Sequence, residues 1–210
     1  MTLPTATKDL RQELERIERV SNMLCTMHFF LKDLYARRAL CLDLFILLVA
    51  VLLLTVIFPD PEILAKIPFI GPNAKIWIGV LAIVNFFLSI AQLKLNWKGL
   101  SDAHDKAGNQ YFSIKLDSKT TLAQDPISPE AFKRILDLYE NCSTTCEKIP
   151  EGQFLKLKKA HKLKVAMSRY LDKRPGASIW LLKLRLWFSD NKGVFVKDPI
   201  EEVKYKDAHD

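Results

Sequence analysis

Asn85, Ser89 and Gln92 stand at i, i+4 and i+7 inside an otherwise apolar run, so one face of a helix carries all three, and Asn96 continues it. A second apolar run, residues 39–58, carries one charge, Asp43, near its start. Polar side chains in hydrocarbon are costly and face protein or water. If the two runs lie antiparallel, Asp43 falls near the depth of Gln92 and Ser89. Such a set can do two kinds of work: hydrogen-bond one helix to the other, or line a water-filled path. Residue type and spacing leave both open.

The other reactive residue types are sparser. His104 and His161 look placed in helical cores, and neither has a partner at a metal-ligand spacing such as HExxH, so packing histidines are expected. Cys142 and Cys146 are one helical turn apart, which suits neither a CxxC redox pair nor a four-ligand zinc site; a structural disulfide is not expected in a reducing cytoplasm. Lys158, Lys159 and Lys162 belong to a lysine-rich stretch that can meet a nucleotide, anionic headgroups or only solvent. Aromatic stacking platforms are not interleaved with it, so direct nucleic-acid binding is not expected. There is no Gly-rich phosphate loop, GxSxG elbow or Rossmann fingerprint. No catalytic residue, metal or cofactor is assigned.

The elements that position these residues follow from hydropathy. A bilayer core needs about 20 apolar residues to cross as a helix. Residues 39–58 and 76–95 both qualify, and nothing later does. The chain of 210 residues is 49% apolar and 26% charged, an average of a hydrophobic hairpin and a charged remainder. Its polar opening suits a retained anchor rather than a cleaved signal peptide. Prolines 59, 61, 68 and 72 break the connector into a turn. Arg19, Lys32, Arg37 and Arg38 before the first span, and Lys94, Lys98 and Lys106 at the end of the second, outweigh Lys66 and Lys75 between them, which predicts cytoplasmic termini.

Before the first span, Leu10, Leu14, Ile17, Val20, Leu24, Met27, Leu31 and Leu34 recur by threes and fours. That stripe either packs on the chain's own cytosolic helices or self-associates as a coiled coil. After the second span, Trp97, Leu100, His104, Ala107, Tyr111 and Ile114 keep helical spacing, which predicts one rod running on to about residue 116. A loop to residue 128 follows, then helices from Pro129 and from Glu151. IWLLKLRLWF from Ile179 is too short to span and suits a docking or interfacial helix.

WKGLSDAHDKAGNQY from Trp97 and LYENCSTTCEKIPEGQFLKLKKAHKLKVAMSRYLDKRPG from Leu138 resemble the SLATT family, the two-transmembrane domain associated with SMODS nucleotide synthases and SLOG nucleotide-binding domains. The likeness rests on Trp97, His104, Tyr111, Phe154, Lys158 and His161, with Ile149-Pro150 and Pro175, and covers nearly the whole chain. It implies a membrane effector of prokaryotic anti-phage systems that forms a pore and kills the infected cell. It also implies a neighbouring nucleotide synthase or sensor as partner, and it supplies no catalytic residues.

The sequence therefore predicts an all-α membrane protein. Residues 1–38 form a cytosolic amphipathic helix and 39–95 a transmembrane hairpin. Residues 96–189 make a cytosolic helical domain whose first helix continues the second span, and 190–210 a polar tail. Its expected place is the inner membrane, its expected partners the bilayer, further copies of itself and a nucleotide-signalling protein. A non-conducting anchor or scaffold is the alternative, and a small membrane enzyme a weaker one.

Overall fold

A computed structural model describes residues 3–58 and 73–194; the connector prolines and the tail beyond residue 194 lie outside them. The described residues are mostly helical and contain no strand. The helices are α1 (Leu3–Ile57), α2 (Ala74–Leu95), α3 (Trp97–Leu122), α4 (Pro129–Thr145), α5 (Glu151–Lys173) and α6 (Ile179–Val194).

With no proline or glycine between residues 5 and 57, nothing interrupts α1, and its 55 residues make one rod of about 80 Å. It runs straight through the expected boundary at residue 38. Its two halves bury different faces. In the N-terminal half the buried set includes Leu14, Ile17, Ser21, His28, Leu31 and Tyr35, a 3-4 repeat completed by partly buried Leu24, with Cys25 and Met27 buried beside it. α3 answers with Ser101, His104, Ala107, Gly108, Tyr111, Ile114, Ser118 and Thr121. Partners on α2 and α3 fall in number as positions on α1 rise: His28 meets His104, the Lys32 carbonyl meets Ser101, and Asp43 meets Gln92. This is an antiparallel course along α1. α4 closes the core with Ile135 and Cys142, two turns apart.

The apolar stripe expected either to self-associate or to pack internally is spent inside the chain. Leu14, Ile17, Met27 and Leu31 have no exposed surface left.

In the C-terminal half of α1 the pattern reverses. Val49 and Val56 are buried, whereas Leu40, Leu44, Phe45, Leu47, Leu48, Val51, Leu52 and Leu54 are uncovered. α2 likewise leaves Ile76, Ile83, Phe86, Phe87 and Leu93 uncovered. Contiguous apolar surface on this scale is foreign to a water-facing protein. Two helices are thus long and apolar enough to cross a membrane.

The path from α2 to α3 departs from the expected uninterrupted rod at one residue. Asn96 has φ 40° and ψ 41°, the left-handed conformation that asparagine tolerates better than most residues. It ends α2 and caps α3, its Oδ1 accepting from the Gly99 N–H at 3.2 Å. A Cβ at Gly99 would crowd that asparagine side chain, which would have to move away from its capping position. Backbone bonds Asn96 N–H to Gln92 O (3.2 Å) and Leu100 N–H to Asn96 O (3.0 Å) carry the ladder past the irregularity. α3 then continues to Leu122 rather than stopping near residue 116, because Ile114, Ser118 and Thr121 still face the core.

α4 begins at Pro129, where the sequence predicts a helix to start, with Glu130 in its first turn, and the Ser128 side chain makes no capping bond. The expected domain of residues 96–189 divides within α5. One compact unit reaches to Phe154 and a second begins at Leu155. In the second unit Leu157 and Leu182 are buried, while Ile179, Trp180, Leu181, Trp187 and Phe188 are uncovered.

Candidate functional site

The polar residues singled out inside the apolar helices do not act as one set. Asp43 and Gln92 meet, Nε2 donating to Oδ1 at 2.5 Å, and bridge α1 to α2. Neither residue is covered by the rest of the chain. They border a groove of about 360 Å³ that also touches Asn96, Trp97 and Lys98. Ser89 turns back on its own helix and donates to the Asn85 carbonyl at 2.9 Å, a common solution for a hydroxyl in an apolar helix. The Asn85 side-chain oxygen is buried and has no hydrogen-bond partner among the described residues. One interhelical bond, one self-satisfied hydroxyl and one orphaned acceptor therefore stand along this region.

A second polar cluster lies in the α1–α3 seam. His28 Nδ1 and His104 Nδ1 are 2.9 Å apart, so one ring donates and the other accepts. The imidazoles are sandwiched by tyrosines: Tyr111 stacks on His28 at 5.5 Å between centroids and Tyr35 on His104 at 5.5 Å. Both histidines are almost wholly buried. Burial, with His104 beside it, holds the His28 imidazole down at about 4. Burial lowers His104 too, opposed by the carboxylate of Glu147. Two neutral rings satisfying one another fix which positions of α1 and α3 meet, since any slip would bury unpaired nitrogens. One turn along α1, Lys32 Nζ pairs with Asp105 Oδ1 at 2.8 Å, and Ser101 Oγ donates to the Lys32 carbonyl at 3.1 Å.

His104, expected as a packing histidine, is buried against the His28 and Tyr35 rings. Its partner, His28, was missed. The signal was present in the 3-4 repeat running Leu14, Ile17, Ser21, Leu24, His28, Leu31, Tyr35, which a reading restricted to apolar residues passes over.

Beside this cluster, Cys142 and Cys146 bring their sulfurs to 2.9 Å, and Cys146 donates to Gln110 Oε1 at 2.7 Å. Burial, then the neighbouring Cys146, pushes the Cys142 thiol upward, away from a reactive thiolate. A groove of about 310 Å³ collects His28, Tyr111, Cys146, Glu147 and Phe154. The structure thus brings Tyr111 and Phe154 together, with His104 one residue behind. Trp97 belongs elsewhere, at the α2–α3 break. His161 and the lysines Lys158, Lys159 and Lys162 belong to the second unit, where Lys159 and Lys162 are exposed and Lys158 is half-buried. Among the described residues no three His, Cys, Asp or Glu side chains gather closely enough to hold a metal ion.

Comparison with protein-family models, with curated proteins and with solved structures yields no match to this chain.

Proposed function

We propose that this chain is a two-pass membrane effector with both termini in the cytoplasm, whose copies assemble in the inner membrane into a pore or a membrane-disrupting complex. The carrying observation is the Asp43–Gln92 pair. It lies within the apolar lengths of α1 and α2, yet the chain leaves it uncovered. A carboxylate and an amide facing lipid carry a cost of a few kcal/mol, which contact with water or with a second copy removes. The buried, unpartnered Asn85 oxygen one to two turns deeper adds a second group in need of a donor. The Lys and Arg asymmetry around the spans supports the orientation, with α1 and α2 forming the transmembrane hairpin.

The resemblance of the Trp97, His104, Tyr111, Phe154 and His161 segments to the SLATT family supports a place in a nucleotide-signalled anti-phage system, where a partner makes or senses the nucleotide. The second reading is a non-conducting anchor that recruits a partner, favoured by the uncovered Trp180, Trp187 and Phe188 on α6.

Flux measured together with cross-linking in reconstituted vesicles separates the two. The pore reading expects the intact chain to release a trapped dye. The double variant Asn85→Leu, Ser89→Leu is expected to assemble and not conduct, because an apolar constriction dewets. Full dye release by an assembled double variant removes these residues from the path. No release by the assembled intact chain, in the presence of its signalling partner, favours the anchor.

A further inference from the structure

We propose that Arg37, Arg38 and Trp97 frame a binding site for one anionic phospholipid. The proposal rests on the membrane-spanning reading above and adds a ligand to it.

The site is a groove of about 470 Å³ between α1 and the first turn of α3. Leu34, Leu42 and Phe45 give it apolar walls, and Arg37, Arg38, Cys41 and Trp97 complete its lining. No acidic residue lines it. Neither arginine forms an ion pair among the described residues, although the Arg38 guanidinium stands 5.9 Å from the Tyr35 ring centre. Two unpaired guanidinium groups on consecutive residues offer up to ten N–H donors in forks suited to a phosphate.

Position decides the kind of phosphate. Arg37 and Arg38 immediately precede the apolar length 39–58, and Trp97 follows residues 76–95, so the groove lies where both apolar lengths end. In a spanning chain this is headgroup depth, the usual station of tryptophan and arginine. Leu42 lies one turn deeper than Arg38, and Phe45 nearly another. A glycerophosphate head held by the arginines would send its first methylenes along these two side chains. A soluble phosphate or nucleotide uses the cations but leaves the apolar walls unoccupied; a lipid uses both. Basic pockets beside spanning helices on the cytoplasmic side suit anionic headgroups for the same reason.

The test makes Trp97 the reporter. In the full chain the other three tryptophans, Trp77, Trp180 and Trp187, are changed to phenylalanine. The protein is reconstituted in phosphatidylcholine vesicles containing a minority of lipid with brominated acyl chains, either phosphatidylglycerol or phosphatidylcholine. Quenching of Trp97 is expected to be at least about fivefold more effective with the anionic lipid, the scale of one basic residue at an anionic headgroup. Arg37→Gln with Arg38→Gln is expected to bring the ratio near one. Lys119→Gln with Lys133→Gln removes the same charge from exposed positions on α3 and α4 and is expected to leave the ratio unchanged.

Flotation with the vesicles is scored on each sample. A chain that does not float overturns the membrane reading itself. A chain that floats with equal quenching by both lipids overturns the site alone. Quenching by neither lipid in a floating chain means another copy or segment covers the groove, and this also overturns the site. Relief of quenching by soluble glycerophosphate would reassign the groove to a soluble anion. Should the single-tryptophan variant fail to fold, native mass spectrometry of the unmodified chain provides the same contrast. Retained phosphatidylglycerol adducts are expected on the intact chain and not on the double-arginine variant, and equal adducts on both refute the proposal.

Discussion

Acidification should unfasten α1 from α3 before it does anything else to this protein. The His28 imidazole is held at about 4 in the folded chain, against 6.5 for a free one. A depressed value means the unfolded chain binds the proton more readily between these limits. The stabilisation is therefore complete above about pH 6.5 and is lost progressively as pH falls toward 4. Between pH 7 and pH 5 the proton-binding difference amounts to about 2 kcal/mol for His28 alone. The ring is 2% exposed, so solvent screening takes little from that figure. For a chain of this size the loss corresponds to a fall of roughly 4–8 °C in Tm.

The assay is thermal unfolding in mild detergent at pH 7, 6 and 5, followed by helical circular dichroism. Its comparison is His28→Gln, which keeps a hydrogen-bonding group toward His104 and cannot titrate. The intact chain should lose several degrees across this range and the glutamine variant much less, its remaining slope coming from His104, whose imidazole burial also lowers. Identical slopes in the two proteins would refute the assignment of this pH sensitivity to His28. A flat intact chain would refute the burial argument altogether.

Asn96→Ala should cost about 1–2 kcal/mol, because alanine resists the left-handed backbone and loses the Gly99 cap, whereas Asn96→Gly should cost only tenths; paired Tm measurements decide this. Leu14→Ala should lower stability by about 2–5 kcal/mol and leave the cross-linking pattern of the surviving folded protein unchanged, since the residue is buried within one chain. A selective loss of oligomers at full stability would return the stripe to a role between copies. Labelling of single cysteines from outside intact cells should reach a probe at Asn73 and miss probes at Thr7 and Asp207. Labelling of either terminal probe reverses the orientation.

Local chemistry made much of this molecule legible in its residues. The unbroken α1 follows from the absence of proline and glycine over more than fifty positions. The two membrane-length helices follow from apolar runs at 39–58 and 76–95, and the start of α4 from Pro129 with Glu130. The inward stripe on α1 was equally plain, because 3-4 spacing names a buried face without naming what covers it. Whether that cover was another copy or the chain's own α3 and α4 was decided only by tertiary packing, which brings residues about 75 positions apart into contact.

The same holds for the polar residues. Helical spacing placed Asn85, Ser89 and Gln92 on one face, but a side chain's partner depends on its rotamer and on the helix opposite. Gln92 therefore reached across to Asp43 while Ser89 folded back on its own carbonyl. His28 was hidden for a related reason. An isolated histidine between hydrophobic residues carries no sign of a second one on another helix, and only the antiparallel register of α1 against α3 sets their nitrogens 2.9 Å apart. The left-handed turn at Asn96 was likewise silent in sequence, since asparagine accepts both helical and left-handed backbone, and the choice belongs to the packing of α2 and α3 against a single long helix.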